Sequence, residues 1–195
     1  PLLIGTPAGG LQGYFHGVIW YYLLAVPLIL SGGNPISGQW FMAIMSTISV
    51  LAAFFILKKT MNIYAAVLGI LLFGFGDYSV ATAKFTWNSY PIVWLAPIFF
   101  LGIFLISRRV YLGILLVSLV EGLSLHFDLM LGLTTLPAYI GMLGYFIAKG
   151  GSVKKIKYTL VSLLLIALPF LPSILFDLRH DFIISKVVIS TMMNG

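Results

Sequence analysis

The sequence predicts an all-α protein: a polytopic transmembrane helical bundle of about six spanning helices, with one further helix lying at the outer membrane surface. Three observations predict it. Of the 195 residues, 61% are hydrophobic and 8% are charged, against about a quarter charged in soluble domains. Mean hydropathy is +1.09. Six runs, 38–57, 61–76, 90–107, 110–127, 129–148 and 158–176, match or approach the roughly 20 apolar residues that cross a hydrocarbon core. The links between the runs alternate in charge. Lys58, Lys59, Arg108, Arg109, Lys149, Lys154, Lys155 and Lys157 occupy every second link, whereas Asp77, Glu121, Asp128, Asp177 and Asp181 fall at the opposite ends. Short links rich in Lys and Arg stay in the cytoplasm. The acidic ends, with His16, His126 and His180, therefore belong on the external side of the cytoplasmic membrane.

In chain order, residues 1–37 read as one external segment. Within it, 17–30 (GVIWYYLLAVPLIL) is 14 residues with Pro27 inside, short for a span. Trp20, Tyr21 and Tyr22 suit a helix at the interface, where amphipathic rings settle. A re-entrant or interfacial helix is preferred here to a further span. Backbone groups in lipid must pair within their own element, so the six runs are helices. The run 61–76 is short and is expected to draw its last turn from the link that follows. That link, Gly76–Ser89, is the longest external one between spans and has room for a short surface helix. Pro97, Pro137, Pro169 and Pro172 are expected to kink their helices or to lie near helix ends. Small residues a turn apart, Ala65 with Gly69 and Gly144 with Ala148, mark expected close helix contacts. The chain reads as a single transmembrane domain over 1–195: helices over 38–176, then an external segment over 177–195. Opening at Pro1 without Met, it reads as a fragment of a longer protein.

With no cysteine in the chain, disulfides, thiolate metal sites and a cysteine nucleophile are excluded. The cations sit in short links rather than among aromatics on a polar surface, which argues against nucleic acid as a partner. No metal-ligand spacing stands out. Four constellations remain. The glycine-rich opening, Gly5 through Gly17 and including His16, lets backbone N–H groups approach an anion. No Gly-Lys-Ser/Thr follows, so it is not a nucleotide loop, and a flexible external loop is the plainer reading. Glu121 lies six residues below the end of its run, roughly 9 Å of helix. An ionisable group at that depth is a functional candidate by default; a carboxyl bonded to a neighbouring helix is the structural alternative. His126, nearer the boundary, suits a ligand contact or a structural hydrogen bond equally.

The string Phe176-Asp177-Leu178-Arg179-His180-Asp181-Phe182 ends the last run. Its Arg179 supplies the fork that phosphate favours, although local ion pairs at a solvated helix end are the plainer reading. Lys84 precedes Asn88 by four residues, and on a helix the two share a face. Trp87 and Tyr90 read first as interfacial anchors.

Together, the stretch Gly5 to Pro35, the Trp87-Asn88 turn, Leu123-Ser124-Leu125-His126 and Leu171 through Phe182 resemble the polytopic glycosyltransferases of the GT-C class, related to protein O-mannosyltransferases and lipid A aminoarabinose transferase. The resemblance touches most of the chain. It implies transfer of a sugar from a polyprenyl-phosphate carrier to a lipid, glycan or protein acceptor on the external face of a bacterial or archaeal membrane. It further implies Arg179 and His180, with Lys84, on the lipid phosphate, and His16, Asn88 and His126 at the sugar or acceptor; Glu121 joins that set as a candidate from its depth in the run alone. The family's catalytic acid lies early in the first external loop. No Asp or Glu precedes Asp77 here, so that residue is expected upstream of Pro1. The Trp-Asn turn usually continues Pro-Asn, whereas Ser89-Tyr90-Pro91 follows here, and Glu121 matches no family pattern. Participation of a divalent cation is left open. A multi-span transporter or lipid flippase is the alternative function, and a membrane anchor without activity the third.

Overall fold

A computed structural model describes residues 2–7, 15–108, 111–149 and 152–194. Residues 8–14 of the glycine-rich opening and Arg109 of the second basic link lie outside the described residues, as do the side chains of Lys149, Lys154 and Lys155. The fold is an all-α bundle. Its helices are α1 (Ile19–Leu30), α2 (Ser37–Thr60), α3 (Ile63–Phe75), α4 (Asp77–Thr82), α5 (Pro91–Ser107), α6 (Tyr111–Phe127), α7 (Leu129–Lys149), α8 (Ser152–Ala167), α9 (Leu171–Arg179) and α10 (Ile183–Asn194). A 3-10 turn over Leu168–Phe170 joins α8 to α9.

Three helices are long and apolar enough to cross a membrane: Ser37–Thr60, Leu129–Ala148 and the nearly continuous Ile156–Arg179. Helices α1, α3, α5 and α6 are apolar but shorter. Side chains are distributed as a lipid-bathed bundle requires. Phe55, Leu72, Ile140 and Leu164 face outward, while Ser46, Ser49, Ser118, Ser162 and Glu121 are buried. An apolar exterior of this extent marks a surface meant to be covered.

Local chemistry sets the helix limits. The Asn62 side chain accepts the Ala65 N–H at 2.8 Å and starts α3, satisfying an otherwise free amide. Lys58 and Lys59 close α2, where cations meet the negative end of the helix dipole. Helix α3 does not borrow a turn from the following link. It stops after 13 residues because Gly76 is extended (φ −62°, ψ 141°), and the short helix expected in that link forms separately as α4. Pro97 and Pro137 lie inside α5 and α7, while Pro169 lies in the 3-10 turn and Pro172 in the first turn of α9. The α8–α9 break follows, because each proline removes an N–H and crowds the preceding turn.

Helix α6 is central, packing against α5, α7 and α8. Glycines let the backbones approach. A Cβ on Gly113 would strike the Gly102 carbonyl and Ile106 N of α5, one on Gly122 the Leu165 and Ile166 backbone of α8, and one on Gly132 the Leu125 backbone of α6. The Gly69 contact expected from sequence exists, against Leu57 of α2, but Gly144 meets nothing within 4 Å. The Gly144–Ala148 face is exposed, so that pair is no helix contact: the small-residue spacing is present without a partner helix. Two clusters fill the interior. Ile106, Ile114, Val117, Tyr139 and Phe146 occupy one end, and Trp20, Met42, Trp94 and Phe127 the other. Trp20 is thus a core residue rather than an interfacial anchor. Tyr21 and Tyr22 hold the opening segment through bonds to Thr6 Oγ1 (2.9 Å) and the Leu2 carbonyl (2.7 Å).

Replacing Gly122 by Val drives a side chain into the α8 backbone. Overpacking of this kind costs about 1–3 kcal/mol, so thermal unfolding of the detergent-solubilised protein should shift downward. Gly144→Ala, in open space, should hold stability or raise it by up to about 1 kcal/mol.

Candidate functional site

The acidic residues and histidines gather at one end of the bundle through contacts between distant segments. Gly17 N–H donates to the His126 carbonyl at 2.9 Å, and Ile19 N–H donates to His126 Nε2 at 3.2 Å. The imidazole therefore caps the start of α1, satisfying an amide that has no partner within the helix. A Cβ on Gly17 would overlap the His126 ring, so glycine is required there by contact. An imidazole accepting at Nε2 carries its proton on Nδ1 when neutral. That nitrogen is buried without a partner, as is Nδ1 of half-buried His16. Phe170 closes the other side of His126 edge-on, with ring centroids 5.6 Å apart.

Asn88 donates to the Phe127 carbonyl at 2.8 Å, tying the link before α5 to the end of α6. Beside it, the Ser89 hydroxyl donates to Asp128 Oδ2, and Asp128 Oδ1 accepts the N–H groups of Met130 (3.0 Å) and Leu131 (3.2 Å). Asp128 is the N-cap of α7, a role for which its short side chain suits it. Tyr78 of α4 packs on Tyr90 at 6.4 Å, bringing Asp77 to the same end.

Asp177 joins two helices. Its carbonyl accepts Phe182 N–H at 2.9 Å, its Oδ1 accepts Ile184 N–H at 2.7 Å, and its Oδ2 accepts the Ser185 hydroxyl. The turn between α9 and α10 passes through two consecutive left-handed residues, Asp181 (φ 53°) and Phe182 (φ 59°). That conformation is costly for a bulky side chain, and the Asp177 bonds hold it. A cavity of about 190 Å³ lies between these groups, lined by Phe15, Gly17, His126, Phe170, Ser173, Ile174, Asp177, Ile184 and Ser185.

Of the residues expected from sequence, His16, His126 and Asn88 are brought together, but the polar atoms of Asn88 and one side of His126 serve the fold. Arg179 and His180 are exposed and do not line the cavity. His180 Nδ1 lies 2.7 Å from the Phe176 carbonyl and its ring stacks on Phe176 at 4.0 Å. Lys84 is exposed and shares no helix face with Asn88, because α4 ends at Thr82 and a turn follows. Glu121 is apart from this cluster, 0% exposed, with Oε2 2.8 Å from the Thr135 hydroxyl of α7. No group of three or more His, Cys, Asp or Glu able to hold a metal occurs among the described residues. Gly17, Ser89 and Ser173 lie in stretches singled out from sequence but had no separate role there, and Ser185 was missed. Only Asp128, placed immediately before an apolar run, carried a local signal, that of an N-cap.

Asp128→Ala should cost about 0.5–2 kcal/mol through loss of the cap, read as a lower midpoint in chemical unfolding. Asp128→Asn, which retains the capping oxygen, should cost less. No protein-family model, curated protein or solved structure matches this chain.

Proposed function

We propose that this chain belongs to a membrane glycosyltransferase that moves a sugar from a polyprenyl-phosphate carrier to an acceptor at the external face of the cytoplasmic membrane. In this reading the six apolar runs span the bilayer in alternating directions, with the Lys/Arg links inside and the acidic end outside. The observation that carries it is the gathering of Gly17, His126 and Asp177, from remote segments, around one small cavity, with Asn88 tied to the neighbouring Phe127 carbonyl. Such a place suits chemistry on a headgroup whose tail stays in lipid.

Exposed Arg179 lies two residues beyond cavity-lining Asp177 and is free to reach a phosphate outside the cavity, with His180 and Lys84 as further candidates. A guanidinium there stabilises charge growing on the departing lipid phosphate. The buried, unpartnered Nδ1 atoms of His16 and His126, of which only the His126 ring lines the cavity, are the groups assigned to sugar or acceptor hydroxyls. A carboxylate that removes the acceptor proton completes the chemistry.

A transporter or lipid flippase is the second reading. It is favoured by buried Glu121 and by the hydroxyls of Ser118, Ser162 and Tyr139 within the helical core, since transport pathways use polar groups at depth.

The test is incubation of the complete protein with a polyprenyl-phosphate sugar, following release of the free lipid phosphate. Turnover is expected, and Arg179→Ala should abolish it while the protein keeps its wild-type melting behaviour. Flux of the lipid across proteoliposomes without turnover would replace this reading with the second.

A further inference from the structure

Glu121 is a buried acid with no counter-charge among the described residues. It lies on α6, and its Oε1 has no hydrogen-bond partner. The hydrogen-bonding side chains that α7 and α8 turn toward the seam with α6 include Thr135, Tyr139 and Ser162, all neutral hydroxyls.

The protons of these hydroxyls can be counted. Ser118 donates to the Ile114 carbonyl at 2.6 Å, so in the 2.6 Å contact between Ser118 and Ser162 the donor is Ser162. In the 2.8 Å contact between Tyr139 and Ser162 the donor is then Tyr139. That chain runs in one direction, ends on a backbone oxygen, and leaves no proton misplaced. Thr135 presents a different count. Its oxygen lies 2.8 Å from Glu121 Oε2 and 2.9 Å from the Gly132 carbonyl, yet a hydroxyl has one proton to give. With Glu121 as a carboxylate, both neighbours are acceptors and one contact is unmade. With the carboxyl carrying a proton, Glu121 donates to Thr135 and Thr135 donates to the Gly132 carbonyl, and both distances are hydrogen bonds. A charge held here with a single donor would also carry a large desolvation cost. A divalent cation asks for about six oxygen ligands, far more than this seam supplies.

We propose that Glu121 is a proton-binding site of the helical core: a neutral carboxylic acid that donates to Thr135. The inference is independent of glycosyl transfer.

The test is the infrared spectrum of the full chain in detergent micelles, recorded in choline, sodium and calcium chloride. The infrared spectrum should contain the carbonyl band of a neutral acid, lost in Glu121→Gln. Thr135→Val keeps the acid but removes its acceptor, so the band should persist and move to higher frequency. This second variant serves if Glu121→Gln does not fold. Absence of the neutral-acid band from the wild-type protein would overturn the proposal. Loss of that band in sodium or calcium chloride would overturn it as well, in favour of a metal-bound carboxylate.

Discussion

The close approach of α6 to its neighbours is the constraint on which the rest of the structure depends. Gly113 against Gly102, Gly122 against the α8 backbone and Gly132 against the α6 backbone allow separations that a single methyl group would forbid. In lipid no hydrophobic force draws helices together, and close van der Waals contact with interhelical hydrogen bonds must do so. At those separations short side chains can reach across: Ser118 meets Ser162, and Glu121 meets Thr135. Set the helices further apart and each hydroxyl becomes a buried polar group without a partner, at about 1–3 kcal/mol apiece. Packing and polar pairing thus stand or fall together.

The same helix organises the acidic end. Its last turn supplies His126, which receives the start of α1, and the Phe127 carbonyl, which receives Asn88. One residue later, Asp128 starts α7. The start of α1, the link before α5 and the start of α7 are located by three consecutive residues, His126, Phe127 and Asp128. The cavity is bounded by this hub on one side and by the α9–α10 turn on the other. Its shape follows from helix termination, because each boundary group also satisfies amides or carbonyls that a helix end leaves open.

How much of this was legible in the sequence depends on the range of the interaction. Helix class and the proline break between α8 and α9 are local, and composition and periodicity carried them. The short helix in the Gly76–Ser89 link was legible too. The end of α3 was not, because Gly76 stops it through an extended backbone that no pattern announces. Burial of Trp20 was hidden, since an aromatic run at a helix start looks alike at an interface and in a core. Asn88 and His126 were legible as polar candidates, while their bonds to Phe127 and Ile19 span 39 and 107 residues. Gly144 shows the opposite failure: the spacing of a contact with no helix opposite. Lys84 was set on a helix face that ends before it.

One feature of the α9–α10 junction bears on how the cavity is held. Ile184 and Ser185 form part of its wall, and both are fastened to the bundle by the Asp177 carboxylate. The turn beside them carries the two left-handed residues Asp181 and Phe182, so two residues of one wall and a costly stretch of backbone share a single carboxylate as their anchor.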